Sequence, residues 1–127
     1  IRIPRYTEGR EQSVRAELRS PDPSCNPYLA FTAILAAGLD GVENNIIPPS
    51  AVEEDIFNLN ESQKEKLHIS GLPGSLAEAI FELKKDEVIK EAIGQHTIDR
   101  FIDAKKIEID ESRIEVTPKE LKRYLDI

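Results

Sequence analysis

The chain has 127 residues, of which 39% are hydrophobic and 32% charged, and it carries a net charge of −7. That is one domain's worth of polypeptide with a globular rather than a disordered composition; a domain of this size is expected to bury roughly two-thirds of its unfolded surface. The acidic balance argues against a general nucleic-acid or anionic-membrane binder, and no apolar run approaches the roughly 18 residues of a membrane span.

Residues 1–6 open with Ile1, Arg2 and Ile3 in alternation and read as a short strand. A polar loop follows over residues 7–12, with Gly9 as its natural turn. Val14, Ala16 and Leu18 then alternate with Arg15, Glu17 and Arg19, a period of two that predicts a second, half-buried strand. Residues 1–6 and 13–19 are expected to pair as a β-hairpin, with Pro4 confining the first strand to an edge. On the second strand Arg15, Glu17 and Arg19 share one face, neighbours about 6.5 Å apart. Two readings fit that row. It is a solvated face in which Glu17 neutralises its neighbours. Or it is an anion site, because a guanidinium presents a planar fork suited to phosphate and carboxylate, with the carboxylate between them able to hold a divalent cation. The pattern leaves both open. Arg5 and Arg10 read as surface charges.

Pro21 and Pro23 stop the strand. Asn26 before Pro27 reads as a helix N-cap followed by the first helical position. The helix from Pro27 is apolar nearly all round, so burial on most sides is expected, with Gly41 marking its weakening end. Cys25 is the sole cysteine; it offers no disulfide framework and reads as a small buried hydrophobe. Residues 44–74 look irregular, apart from a short helical turn over 61–67. Ser75 with Glu78 forms a capping-box pattern, Asp86 caps a second short helix closed by Gly94, Thr97 and Asp99 open a longer one, and Thr117-Pro118-Lys119-Glu120 starts the last. His68 and His96 are isolated and lack metal-ligand spacing. The fold class is therefore α+β, mainly helical: an N-terminal hairpin followed by about five helices. Residues 1–43 form the hairpin and buried helix, 44–74 an irregular region, and 75–127 a helical part.

The residues around the charged strand decide between its two readings. Arg2-Ile3-Pro4, then Glu17, Arg19, Pro21 and Asp22 as E-x-R-x-P-D, then Asn26 to Phe31 as N-P-Y-L-A-F and Ala37 to Gly41 as A-G-L-D-G, closely resemble the C-terminal part of the catalytic domain of bacterial and archaeal (type I) glutamine synthetases. The resemblance runs over residues 1–127, weaker after about Glu43, and covers only the last quarter or so of such an enzyme. It implies ATP-dependent ligation of ammonia to L-glutamate through γ-glutamyl phosphate. By resemblance Glu17 is one ligand of the metal, Mg2+ or Mn2+, that holds the γ-phosphate. Arg19 contacts the glutamate carboxylate or the transferred phosphoryl group, and Arg15 and Arg2 line the nucleotide phosphates. Phe57 lies where some members carry an adenylylated tyrosine, and it has no hydroxyl to modify.

The chain starts at Ile1 and contains no methionine, which fits a fragment from inside a larger domain. The remaining metal ligands of the family fall outside it, so the fragment alone is expected to bind no cofactor tightly and to lack ligase activity. The intact enzyme is expected as a homo-dodecamer, the fragment as a monomer or low-order oligomer, in the cytoplasm. The alternative is a standalone helical interaction or regulatory module derived from the same family.

Overall fold

The computed structural model of the protein describes residues 1–125. Six α-helices account for most of its regular structure: α1 Pro27–Glu43, α2 Glu61–Lys66, α3 Leu76–Lys85, α4 Glu87–Ile93, α5 Gln95–Ile114 and α6 Pro118–Tyr124. Local hydrogen bonding sets their starts. The Asn26 side chain accepts from the amides of Tyr28 and Leu29, with Pro27 in the first turn. Asp86 accepts from Ile89, and Thr117 and Glu120 form a reciprocal capping box. At α3, Ser75 accepts from the Glu78 amide, but the Glu78 carboxylate reaches back to the Gly74 amide instead of closing the box on Ser75. The long helix begins at Gln95, two residues before the expected Thr97. Gly94, at φ 88°, turns the chain out of α4 and directly into α5 without a side-chain cap.

Two helices end on non-glycine residues in the left-handed region. After α1, Asn45 has φ 52°, while the amides of Asn45 and Ile46 donate to the carbonyls of Val42 and Gly41. Gly41 is therefore inside the helix. After α2, His68 has φ 54° and takes the equivalent position. Both are Schellman closures, which gives His68 a conformational role.

α4 sits between α1 and α5 and also touches α3, which packs on α5. Ile80 of α3 and Ile98 and Ile102 of α5 form the buried core, with Leu83, Ile93 and Ile109 packed against it. α2 and α6 have no comparable packing among the described residues. The core is small for the chain. The accessible surface is 11499 Å², whereas a self-contained monomer of this mass exposes about 6,800 Å² and its unfolded chain about 20,700 Å². The protein thus buries about 45% of its unfolded surface instead of the expected two-thirds.

Two expectations are corrected by the same fact. First, the N-terminal β-hairpin is absent from the described residues. A single antiparallel bridge remains, in which Arg2 and Glu17 exchange backbone hydrogen bonds of 2.8 Å each, and Glu11–Ser13 form a 3₁₀ turn in place of the start of the second strand. Two strands with no third strand and no cover on their apolar side are marginal, and that side is open: Ile3 is 69% and Val14 64% exposed. Second, α1 is not buried on most sides. It packs through Leu29, Ala30, Ala33 and Ala36 and leaves Tyr28, Phe31, Leu35, Leu39 and Val42 in solvent.

Candidate functional site

The single bridge has a chemical consequence. Pairing Arg2 directly opposite Glu17 puts their side chains on one face, and Arg15, two residues before Glu17, joins them by strand periodicity. Arg2 donates from Nη1 to Glu17 Oε2 at 3.0 Å, and Arg15 donates from Nε to Glu17 Oε1 at 2.8 Å. A second guanidinium nitrogen of Arg15, Nη2, lies 2.6 Å from the same oxygen, and Nη1 donates to the Ser13 carbonyl at 3.0 Å. The carboxylate is the sheltered member: its side chain is 20% exposed, against 57% and 55% for Arg2 and Arg15. The hydrogen bond from Arg2, with the bonds and charge of Arg15 added, holds the Glu17 carboxyl below its ordinary range against the opposing effect of desolvation.

The cluster carries two cations and one anion, and its guanidinium faces open to solvent. Such a surface attracts a further anion, with planar forks matched to phosphate or carboxylate oxygens. Arg19 lies beyond it on the same segment, and among the described residues no hydrogen bond or ion pair engages its guanidinium. The sequence row Arg15–Glu17–Arg19 is thus realised as Arg2–Glu17–Arg15, with the cross-strand arginine taking the place that periodicity assigns to Arg19.

The cluster does not by itself fit a metal ion. Glu17 is its sole carboxylate, and both of its oxygens accept from guanidinium groups. Among the described residues no three His, Cys, Asp or Glu side chains come together as a ligand set. A divalent cation bound through oxygen needs six or more donors, several from the protein or its substrates.

The flanking turns are built by residues that periodicity does not reveal. Glu11 accepts from the Gly9 amide at 3.0 Å and from the Tyr6 hydroxyl at 3.2 Å, closing the loop between the bridged segments. Its own backbone amide, then the Gly9 amide and the Tyr6 hydroxyl, hold its carboxyl low. The detectable signal was a glutamate two residues after a turn glycine, which stands at φ 77°. Asp22 accepts from the Ser24 hydroxyl at 2.6 Å and the Ser24 amide at 2.7 Å, which lowers its pKa and fixes the proline turn between the charged segment and α1. Cys25 is exposed, not buried. It stands at the edge of a groove of about 610 Å³ lined by Leu29, Ala33, Leu83, Ile93 and Phe101. Phe57 is 97% exposed. No helix among the described residues is long and apolar enough to cross a membrane.

Comparison with known proteins agrees with the motifs that surround this cluster. Residues 1–124 match the family model described as glutamine synthetase, catalytic domain. The chain is 53% identical over 125 residues to a glutamine synthetase of Thermotoga maritima, covering 98% of the chain and 28% of that relative. It is 46% identical over its whole length to one from Methanococcus voltae, again spanning 28% of the relative, and 46% identical over 125 residues to one from Thermus thermophilus, spanning 27%. The chain thus spans little more than a quarter of the length of these curated relatives. With the arginine–glutamate cluster set inside the matched region, and with the matches covering 98–100% of its residues, the chain belongs to the glutamine synthetase catalytic-domain family.

Proposed function

We propose that this chain acts as part of a glutamine synthetase, contributing phosphate- and metal-binding residues to the ATP-dependent ligation of ammonia to L-glutamate. The observation that carries this reading is the Arg2–Glu17–Arg15 cluster, formed at motif positions of the family and open to solvent on its cationic side. In the proposed reaction the glutamate side-chain carboxylate attacks the γ-phosphoryl group of ATP, giving γ-glutamyl phosphate and ADP. Ammonia then displaces phosphate to form the amide. Charge accumulates on the transferring phosphoryl oxygens, so pre-placed cations are the main contribution a protein can make. Arg2 and Arg15 line the nucleotide phosphates, held at fixed spacing by the carboxylate between them. Arg19, uncommitted, grips the glutamate carboxylate or the transferred phosphoryl group. Glu17 would serve a divalent ion, Mg2+ or Mn2+, only by sharing an oxygen that a guanidinium now occupies, with the remaining ligands supplied from outside the matched region.

One carboxylate is too few for that ion, so the 127-residue chain alone does not ligate. The parent enzyme assembles as a homo-dodecamer, and this chain alone as a monomer or low-order oligomer. The test is to substitute the chain for the matched region of the Thermotoga maritima relative. The chimera is expected to form glutamine from glutamate, ammonia and ATP, and the isolated chain to form none. Glutamine formation by the isolated chain, or a folded chimera with none, overturns the proposal.

A further inference from the structure

Among the described residues, every hydrogen bond and ion pair made by residues 1–17 has both partners inside that span. The arginine–glutamate cluster is therefore held by its own loop. Its single bridge joins residues 15 positions apart, and closing a loop of that length costs chain entropy that two strands repay poorly. Shorter closures divide the loop. The Gly9 amide and the Tyr6 hydroxyl donate to one and the same oxygen, Glu11 Oε1, at 3.0 and 3.2 Å. Beside them the Arg10 amide donates to the Thr7 carbonyl at 3.1 Å. The 3₁₀ turn follows at once: the Ser13 amide and hydroxyl donate to the Arg10 carbonyl at 2.9 and 2.7 Å, and the Val14 amide to the Glu11 carbonyl at 3.2 Å. That turn aims the Ser13 carbonyl at Arg15, whose Nη1 donates to it at 3.0 Å while Nε donates to Glu17 at 2.8 Å. Arg15 is thus gripped from both sides, and one of the two grips leads back to Glu11.

From this chain of contacts we infer that Glu11 is a positioning residue: its Oε1, clasping Tyr6 and Gly9, sets the turn whose Ser13 carbonyl orients the Arg15 guanidinium toward the nucleotide phosphates. The inference rests on the proposed role of Arg15 at those phosphates. A guanidinium has five N–H donors in a fixed plane. Fixing Nε and Nη1 at once stops rotation of that plane and leaves the remaining donors aimed at one place. Glu11 needs no charge for this task. Both of its side-chain bonds are accepted by Oε1, and Oε2 has no hydrogen-bond partner among the described residues, so a glutamine amide oxygen can take over.

Two measurements test it. In the 127-residue chain, nuclear magnetic resonance reads how fast the Nε–H of Arg15 exchanges with water. It is expected to exchange about tenfold more slowly than that of Arg19, whose guanidinium makes no hydrogen bond among the described residues. Glu11→Ala is expected to narrow that difference, Glu11→Gln to keep it, and Tyr6→Phe, which removes one of the two donors, to fall between. In the chimera with the Thermotoga maritima relative, Glu11→Ala is expected to raise the KM for ATP about tenfold, the loss of one charge-assisted phosphate contact. The KM for glutamate and kcat stay within about twofold, a split that general loss of structure does not produce. Glu11→Gln restores the KM for ATP. Arg15 exchange that Glu11→Ala leaves unchanged overturns the inference, and so does an unchanged KM for ATP in a chimera where Arg15→Gln raises it; the functional reading survives both results. If Arg15→Gln itself leaves the KM for ATP unchanged, the reading of Arg15 as a phosphate contact falls, and the exchange rates alone decide whether Glu11 positions it.

Discussion

Replacing Ile98 with alanine is the sharpest test of how little core this chain possesses. Ile98 is 1% exposed, and it is the one side chain among the described residues that is fully enclosed. Ile98→Ala removes three buried carbon atoms, a transfer loss of about 2.4 kcal/mol at about 0.8 kcal/mol each. A cavity term adds to this in rigid cores. Here it is small, because Ile98 borders two surface grooves, one against α1 and one against Lys84 and Lys90, and neighbours or water can occupy the space. The expected cost is about 2.5–3 kcal/mol, near the low end of the range for such truncations. That is roughly a 60-fold or greater shift toward the unfolded state. Urea denaturation followed by far-ultraviolet circular dichroism measures it, with Phe57→Ala, at a 97% exposed position, expected to stay within about 0.5 kcal/mol of the parent. A loss below about 1 kcal/mol for Ile98→Ala, or equal losses for the two variants, refutes the assignment of the core to the contact of α3 and α5.

Asn26→Ala removes the acceptor shared by the Tyr28 and Leu29 amides; it is expected to cost about 1 kcal/mol, with Asn26→Asp close to the parent, in the same denaturation assay. Glu17 has a folded pKa below the ordinary 4.5, so its pairing contributes fully above the unfolded value and is lost as pH falls through the folded one. Chemical-shift titration should therefore place the Glu17 midpoint below 4.5, and Arg2→Gln should move it upward; an unchanged midpoint in that variant breaks the link to the guanidinium. Thr117→Ala removes half of the α6 capping box and, with no packing comparable to that of α3–α5 on that helix among the described residues, is expected to lower helix content locally while leaving the urea midpoint unchanged.

What the sequence disclosed, and what it did not, divides by the range of the interaction. The caps at Asn26, Asp86 and Thr117 were legible because each is complete within three residues. The charged face was legible as a period of two, and Arg15 and Glu17 do meet. Arg2 as the second partner of Glu17 depended on a pairing 15 residues away, which periodicity within one strand does not contain. The hairpin and the burial of α1 failed together. Alternation and apolar composition report which side chains are suited to burial, not whether the chain holds the elements that would bury them. Ile3, Val14, Phe31 and Leu35 carry that signature and face solvent. The start of α5 was missed for a different reason: Gly94 serves α4 and α5 at once, so no polar side chain marks the boundary.

The central claim is that the Arg2–Glu17–Arg15 cluster belongs to the machinery of phosphoryl transfer. The most direct measurement is steady-state glutamine formation by the chimera carrying Glu17→Gln, which keeps the shape of the side chain and removes its charge. With Arg10→Gln as a neutral surface control, Glu17→Gln is expected to lower kcat about 100-fold or more. A kcat within about twofold of the parent would contradict the claim.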